Sequence, residues 1–161
     1  MTEVLIGLGG NLGNVRASFE RAIEQLCEQG TVRVVAQSSD YSTPPWGIAD
    51  QPRFVNRAIA VETTLTPQEL LALALEIERK LGRDRTQGPK NGPRVIDIDL
   101  LAYDGATIDE PGLILPHPRL LDRAFVLVPL AEIRPDAVIA GRRVADGLRN
   151  VDSAGIERLT D

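Results

Sequence analysis

Aromatic residues are scarce in this 161-residue chain: one tryptophan, two tyrosines and three phenylalanines. A sheet that reads RNA by stacking bases needs an aromatic signature, and the chain carries none. The net charge of −5 argues the same way, because general nucleic-acid binders are basic. A single cysteine, Cys27, excludes a disulfide within the chain and fits a reducing compartment. It falls on a helical stripe with Phe19, Ala22, Ile23 and Leu26, a core position rather than that of a nucleophile. A single histidine, His117, excludes metal sites assembled from histidine and cysteine clusters. No apolar run reaches membrane-spanning length. The start, Met-Thr-Glu-Val-Leu-Ile, lacks the basic region and cleavage site of a secretion signal. The expectation is a cytoplasmic protein that binds neither membrane nor nucleic acid.

What is present is an ordinary globular composition, 43% hydrophobic and 25% charged, in a length suited to one domain, 1–161. Val4–Ile6 reads as a short strand and Gly7–Gly13 as a tight loop. Asn14 caps a helix that runs to about Glu28. Thr31–Ser42 reads as a second strand. Pro44, Pro45, Gly47 and Pro52 make 43–53 a long loop. Along Phe54–Thr63, Val55, Ile59 and Val61 alternate with Phe54, Asn56, Ala58 and Ala60, a strand pattern. Thr66 to Glu69 is a capping box with Pro67 at the first helical position. Leu70, Leu73, Ala74, Ile77 and Leu81 form the stripe of that helix, and Gly82 ends it. A further strand runs through Asp97 and Asp99. A hairpin turn is expected at Tyr103–Ala106, then a mixed tail in which Pro129 and Pro135 limit long helices. The order is βαββαβ plus a C-terminal extension. This predicts an α+β, ferredoxin-like fold: a mostly antiparallel sheet with both helices on one face.

The densest chemical signal is Gly92-Pro93-Arg94-Val95-Ile96-Asp97-Ile98-Asp99. On a strand, Val95, Asp97, Asp99 and Leu101 share one face. Two carboxylates at that spacing lie ~6.5–7 Å apart at their Cα atoms. Bare, they would repel by roughly 2–3 kcal/mol at an effective dielectric of 20. Mg²⁺ removes that cost, because it takes one or two carboxylates, waters and substrate phosphates. Solvated Asp on an open strand face is the plain alternative. The neighbourhood weighs against it. From 79 to 94 the bases Arg79, Lys80, Arg83, Arg85, Lys90 and Arg94 meet the single acid Asp84, a net +5 inside an acidic chain. A basic island leading into paired carboxylates points to polyphosphate plus metal.

Other motifs divide. The glycine run 7–13 follows a strand and precedes a helix, yet its third glycine comes one residue late for a dinucleotide fingerprint, and a structural β–α turn is the better reading. Glu78, near a helix C-terminus, is either a surface glutamate paired with a base or an acceptor that organises ligand or arginines. His117, framed by Pro116 and Pro118 and near Arg119 and Arg123, is either structural or a phosphate contact. Phe54 beside Asn56, with Trp46 in the proline-rich loop, would suit a flat, hydrogen-bonding heterocycle. For Phe125 plain core packing is the stronger alternative.

Taken together these motifs resemble one family, the 6-hydroxymethyl-7,8-dihydropterin pyrophosphokinases of folate biosynthesis. The resemblance runs from Gly7 to about Pro135. It rests on Gly-Gly-Asn-Leu-Gly ending at Gly13, Thr43-Pro44-Pro45, Phe54-Val55-Asn56, Gly82-Arg83-Asp84-Arg85, the Gly92–Asp99 block, Pro116-His117-Pro118 and Arg123-Ala124-Phe125. It implies transfer of pyrophosphate from ATP to the pterin hydroxymethyl group by a monomeric enzyme. It implies that Asp97 and Asp99 hold two Mg²⁺ ions, and that Arg83 and Arg94 join them in catalysis. ATP would lie against Glu78, Arg85, Lys90, Leu100, His117 and Arg123. The pterin, 6-hydroxymethyl-7,8-dihydropterin, would lie against Thr43, Pro45, Trp46, Phe54, Asn56 and Phe125. The loop 84–93, with two Gly-Pro pairs, is expected to close over bound ATP.

Overall fold

The computed structural model describes residues 1–45, 49–83 and 92–160. Its centre is a six-stranded antiparallel sheet. β1 (Thr2–Gly10) lies between β4 (Phe54–Thr63) and β5 (Asp97–Tyr103). The far edge of β4 is lined by two strands in line, β2 (Val32–Gln37) and β3 (Tyr41–Thr43). β10 (Glu157–Arg158) pairs outside β3. Helices α1 (Val15–Cys27) and α2 (Pro67–Lys80) share one face, as the ferredoxin-like order predicts. Val4, Ile6, Ile59, Val61, Ile98 and Leu100 meet them there with Phe19, Leu70 and Ile77. On the opposite face, Leu5, Ala58, Ala60 and Leu101 pack under α3 (Ala124–Ile133). The alternation along β4 thus serves two cores, one on each side of the sheet.

The helix starts follow their local chemistry. Asn14 Oδ1 accepts from the Ala17 N–H at 3.2 Å. Both halves of the Thr66–Glu69 capping box form, at 2.9 and 3.1 Å. Gly82 turns the chain off α2 with φ +102°. Cys27, expected in the core, is half-buried at the end of α1.

Several expectations are corrected. Gly7–Gly10 is not a loop; it continues β1, paired with β4 throughout and with β5 as far as Gly9, and only 11–14 turn toward α1. The expected strand 31–42 is two strands. At the break, Ser38 Oγ accepts from the Ala58 N–H at 2.9 Å, and Glu132 of α3 accepts from the Ser39 N–H at 2.9 Å. Ser38 N–H still donates to the Ala58 carbonyl at 2.9 Å, so side chains supplement a thinned ladder between Gln37 and Tyr41. The Asp-Asp strand begins at Asp97, so Val95 lies outside it. The turn after Tyr103 forms, but the strand beyond it does not pair with β5. Instead β6 (Ile108–Glu110) pairs with β7 (Leu113–Leu115), beside β5. α3 also runs ten residues with Pro129 inside it. Beyond it come the small hairpin of β8 (Val138–Ile139) and β9 (Arg142–Arg143), then α4 (Val144–Leu148).

Candidate active site

The glycine strand is the floor of a hollow. Register places two rows across the α3 face: Ala58–Gly7–Asp99 and Asn56–Gly9–Asp97. The middle of each row has no side chain. Phe54, Thr43 and Pro44 rise at one end, and Phe125, Val126 and Pro129 of α3 form the far wall. A Cβ on Gly9 would lie 2.8 Å from Asn56 Oδ1. Gly10 faces the other way, and a Cβ there would lie 2.6 Å from the Val95 carbonyl oxygen. Close approach, rather than a turn, is what these glycines serve. Asn56 Nδ2 donates to Thr43 Oγ1 at 2.7 Å, so the amide is held with its plane fixed.

One rim of the hollow is charged. Arg94 donates from Nη1 to Asp97 Oδ2 at 3.1 Å and from Nε to the Gly92 carbonyl at 3.1 Å. Its guanidinium stands 5.6 Å from the centre of the Phe54 ring. Arg123 stands 5.6 Å from the Phe125 ring. Burial, and then the like charge of Arg119, lower the Arg123 pKa, against the opposing pull of Asp99 and Asp97. Asn11, 7% exposed, holds the rim together. Its Oδ1 accepts from the Arg94 N–H at 2.8 Å, its own N–H donates to the Arg94 carbonyl at 2.9 Å, and its Nδ2 reaches Gln51 and the Pro52 carbonyl, both at 3.0 Å.

A second hollow opens on the outer side of β5. Leu71 and Leu75 of α2, Ile114 of β7 and His117 line it, with Leu100 and Asp99. Asp99 therefore borders both hollows. His117 is anchored by its N–H to the Leu101 carbonyl at 2.8 Å, and its Nδ1 accepts from the Arg119 N–H at 3.2 Å. Burial first, then Arg123, push its pKa below the usual value. The neutral ring, with Nδ1 engaged as acceptor, presents Nε2–H as a donor.

Of the residues singled out in the sequence, Arg94, Asp97, Asp99, Arg123, Thr43, Phe54, Asn56 and Phe125 line the first hollow. Leu100 and His117 line the second. Pro45 lies outside both, in a third hollow behind Thr43 and Phe125. Glu78 is not a surface glutamate and lines neither of these two hollows. It is buried, and its Oε2 accepts from the Ile98 N–H at 2.7 Å, between the two aspartates. Its Oε1 lies 3.6 Å from Arg83 Nε, so Arg83 too is held at the end of α2, outside both hollows. Trp46, Arg85 and Lys90 lie outside the described residues, as does most of the loop 84–93. Sequence reasoning missed Gly7, Gly9 and the Asn11 pivot. The glycine alternation 7, 9 was the only local signal for a bare strand face.

Residues 5–135 match the family model described as 7,8-dihydro-6-hydroxymethylpterin-pyrophosphokinase (HPPK). The chain belongs to this family. A 2-amino-4-hydroxy-6-hydroxymethyldihydropteridine pyrophosphokinase of Methylorubrum extorquens is 52% identical over 159 residues, 99% of each chain. The enzyme of the same name from Bacillus subtilis is 43% identical over 128 residues, 80% of this chain and 75% of that one. Among solved structures, Plasmodium falciparum HPPK-DHPS with pteroate superposes with a TM-score of 0.72 over 92% of this chain at 14% identity. This chain spans 42% of that longer one, and at that identity the likeness concerns the fold. The HPPK fold thus accounts for the sheet and its helices, and the chain is an enzyme of the pyrophosphokinase type.

Proposed function

We propose that this HPPK-family chain transfers the pyrophosphoryl group of ATP to the hydroxymethyl oxygen of 6-hydroxymethyl-7,8-dihydropterin, giving AMP and the pterin diphosphate. The observation that carries this reading is Asp99 on the β5 rib between two hollows, with Asp97 one row away beside Arg94. Two substrates that must meet at one bond suit two cavities with a shared carboxylate wall.

The donor set fits Mg²⁺. Two carboxylates share a strand face, and among the described residues no group of three His, Cys, Asp or Glu offers a metal an all-protein cage. We assign two ions to Asp97 and Asp99, where bound metal would neutralise phosphate charge and lower the pKa of the attacking hydroxyl. The remaining work is positioning. In the first hollow Phe54 and Phe125 present ring surface to the bicycle, and Asn56, steadied by Thr43, reads its edge. Arg94 and Arg123 meet the transferred phosphates at the rim. His117 Nε2–H donates to a phosphate oxygen from the nucleotide side. Arg85 and Lys90, outside the described residues, would add charge there. Glu78 fixes the strand between the aspartates and holds Arg83. In-line attack on the β-phosphorus then needs orientation and charge neutralisation more than a side-chain base. A reduced dihydropterin also calls for the reducing cytoplasm that a single cysteine suggested.

Incubation with ATP, Mg²⁺ and the pterin, followed by nucleotide separation, tests the assignment. AMP should appear one-for-one with pterin diphosphate. ADP as the stoichiometric product would mean transfer from the γ position and would sink it.

A further inference from the structure

Residues 136–160 lie beyond the stretch matched by the family model, yet they close the sheet beside the first hollow. β3 is three residues long. Its last residue, Thr43, is 1% exposed and holds the Asn56 amide. A strand that short, paired on one side, is a weak platform. β10 supplies the other side, with Glu157 opposite Ser42 and Arg158 opposite Tyr41. Leu159 N–H donates to the Asp40 carbonyl at 2.8 Å, and Arg16 joins Asp40 Oδ2 at 2.8 Å to the Thr160 carbonyl at 3.0 Å. Arg53 ties the two strands a second time. Its Nε donates to Ser42 Oγ at 2.8 Å, and its Nη2 donates to the Ser42 carbonyl at 3.2 Å and to the Gly155 carbonyl.

At Gly155, φ +82°, the tail turns against Pro44, and a Cβ there would lie 3.0 Å from Pro44 Cγ. Behind that contact the tail is not close-packed. A hollow lined by Pro44, Phe125, Asp152, Ala154 and Ile156 lies between it and the start of α3. Hydrogen bonds, more than packing, therefore hold this wall. Tail residues line neither the first hollow nor the nucleotide-side one, but Thr43 and Pro44, which the tail braces, line only the first.

From this arrangement we infer that residues 153–160, clamped by Arg53, are a positioning element for the pterin side of the site: they set the Thr43–Pro44 wall and leave the ATP side alone. The inference rests on reading the first hollow as the pterin pocket. Arg53 and Gly155 touch no substrate; they act through Ser42, Thr43 and Pro44.

The test uses the full chain with Arg53→Ala, Arg53→Lys and Gly155→Val, a Kd for 6-hydroxymethylpterin, a Kd for a non-hydrolysable Mg·ATP analogue, and steady-state kinetics. Arg53→Ala removes three hydrogen bonds from an exposed charge. It should raise the pterin Kd and KM about tenfold while the ATP-analogue Kd and kcat stay within about twofold, the pattern of lost ground-state positioning. Lysine should recover part of the loss, and Gly155→Val should mimic alanine. A pterin Kd unchanged in both Arg53→Ala and Gly155→Val, or equal loss of both ligands, overturns the inference. Hydrogen exchange of the unliganded chain separates this from the pocket assignment. If the unaltered chain binds the ATP analogue but no pterin, the pocket reading fails by itself. The clamp still requires faster exchange at Tyr41–Thr43 in Arg53→Ala, and unchanged exchange there refutes it whatever the hollow holds.

Discussion

Two adjacent glycines should fail in opposite ways. At Gly9 an added methyl meets Asn56 Oδ1 at 2.8 Å. That atom ends a side chain, so the amide can swing away, losing its 2.7 Å bond to Thr43. The stability cost is one side-chain hydrogen bond, about 1 kcal/mol. The binding cost is larger. A ligand edge read by that amide loses on the order of two hydrogen bonds, about 2–3 kcal/mol, or roughly 30- to 160-fold in Kd. At Gly10 the methyl meets the Val95 carbonyl oxygen at 2.6 Å, its carbon at 3.2 Å and Val15 Cγ1 at 3.2 Å. Backbone cannot rotate aside, so β1 and the segment before β5 must separate, costing about 1–3 kcal/mol of stability. For a chain of this size each kcal/mol lowers Tm by about 2–4 °C. Calorimetric titration with the pterin and thermal melts should show Gly9→Ala folded and binding-deficient, and Gly10→Ala clearly less stable. If Gly9→Ala binds the pterin within twofold of the parent, the bare strand is not the floor of the pterin pocket.

Asp97→Ala and Asp99→Ala should each abolish most turnover across a Mg²⁺ series with unchanged circular dichroism; near-normal activity in either folded variant removes that residue from the metal site. Glu78→Ala should cost about 2–4 kcal/mol in a denaturant melt, because it strips the acceptor from a buried N–H at Ile98 and removes a carboxylate beside Arg83. Glu78→Gln, which keeps an acceptor, should recover much of that loss, and an alanine variant as stable as the parent would refute the buried role. Because burial and Arg123 hold the His117 pKa below its usual 6.5, the folded chain binds fewer protons there than the unfolded chain. Its contribution to stability should be level above about pH 6.5 and fall as the pH drops from there toward the folded-state pKa. His117→Asn should flatten that limb in melts from pH 8 to pH 5, and an unaltered slope would contradict the burial.

Local chemistry was legible where it is self-contained. The Thr66–Glu69 box, the Asn14 cap and the alternation of β4 each depend on residues within a few positions, and each forms as its pattern predicts. What eluded the sequence depends on distant partners. The break between β2 and β3 is held by Glu132, 93 residues from Ser39. Asn11 is a pivot only because Arg94, 83 residues away, returns beside it. Glycine's poor strand propensity argued for a loop through 7–13, but strand pairing overrides propensity over 7–10, where Asn56 beside Gly9 and the Val95 carbonyl beside Gly10 leave no room for a Cβ. The paired carboxylates and the Phe54–Asn56 face stood out by their two-residue strand spacing, and the arginines by their local density. That Glu78 is buried against the Ile98 N–H did not, because a helix C-terminus is a poor place for an anion unless a backbone N–H and an arginine meet it there.

Asp99 belongs to the lining of both hollows, so on the proposed assignment the two occupants would share one carboxylate. A ligand that binds this carboxylate from one side would set the position and charge that a second ligand meets from the other. With nucleotide and pterin in the two hollows as proposed, reciprocity would make the factor by which one tightens the other the same in both directions. Couplings of this kind typically run to about 1–3 kcal/mol, some 5- to 150-fold. An inhibitor filling a single hollow forgoes that factor; one built to straddle the β5 rib gains it, with the joint between its two halves resting against Asp99.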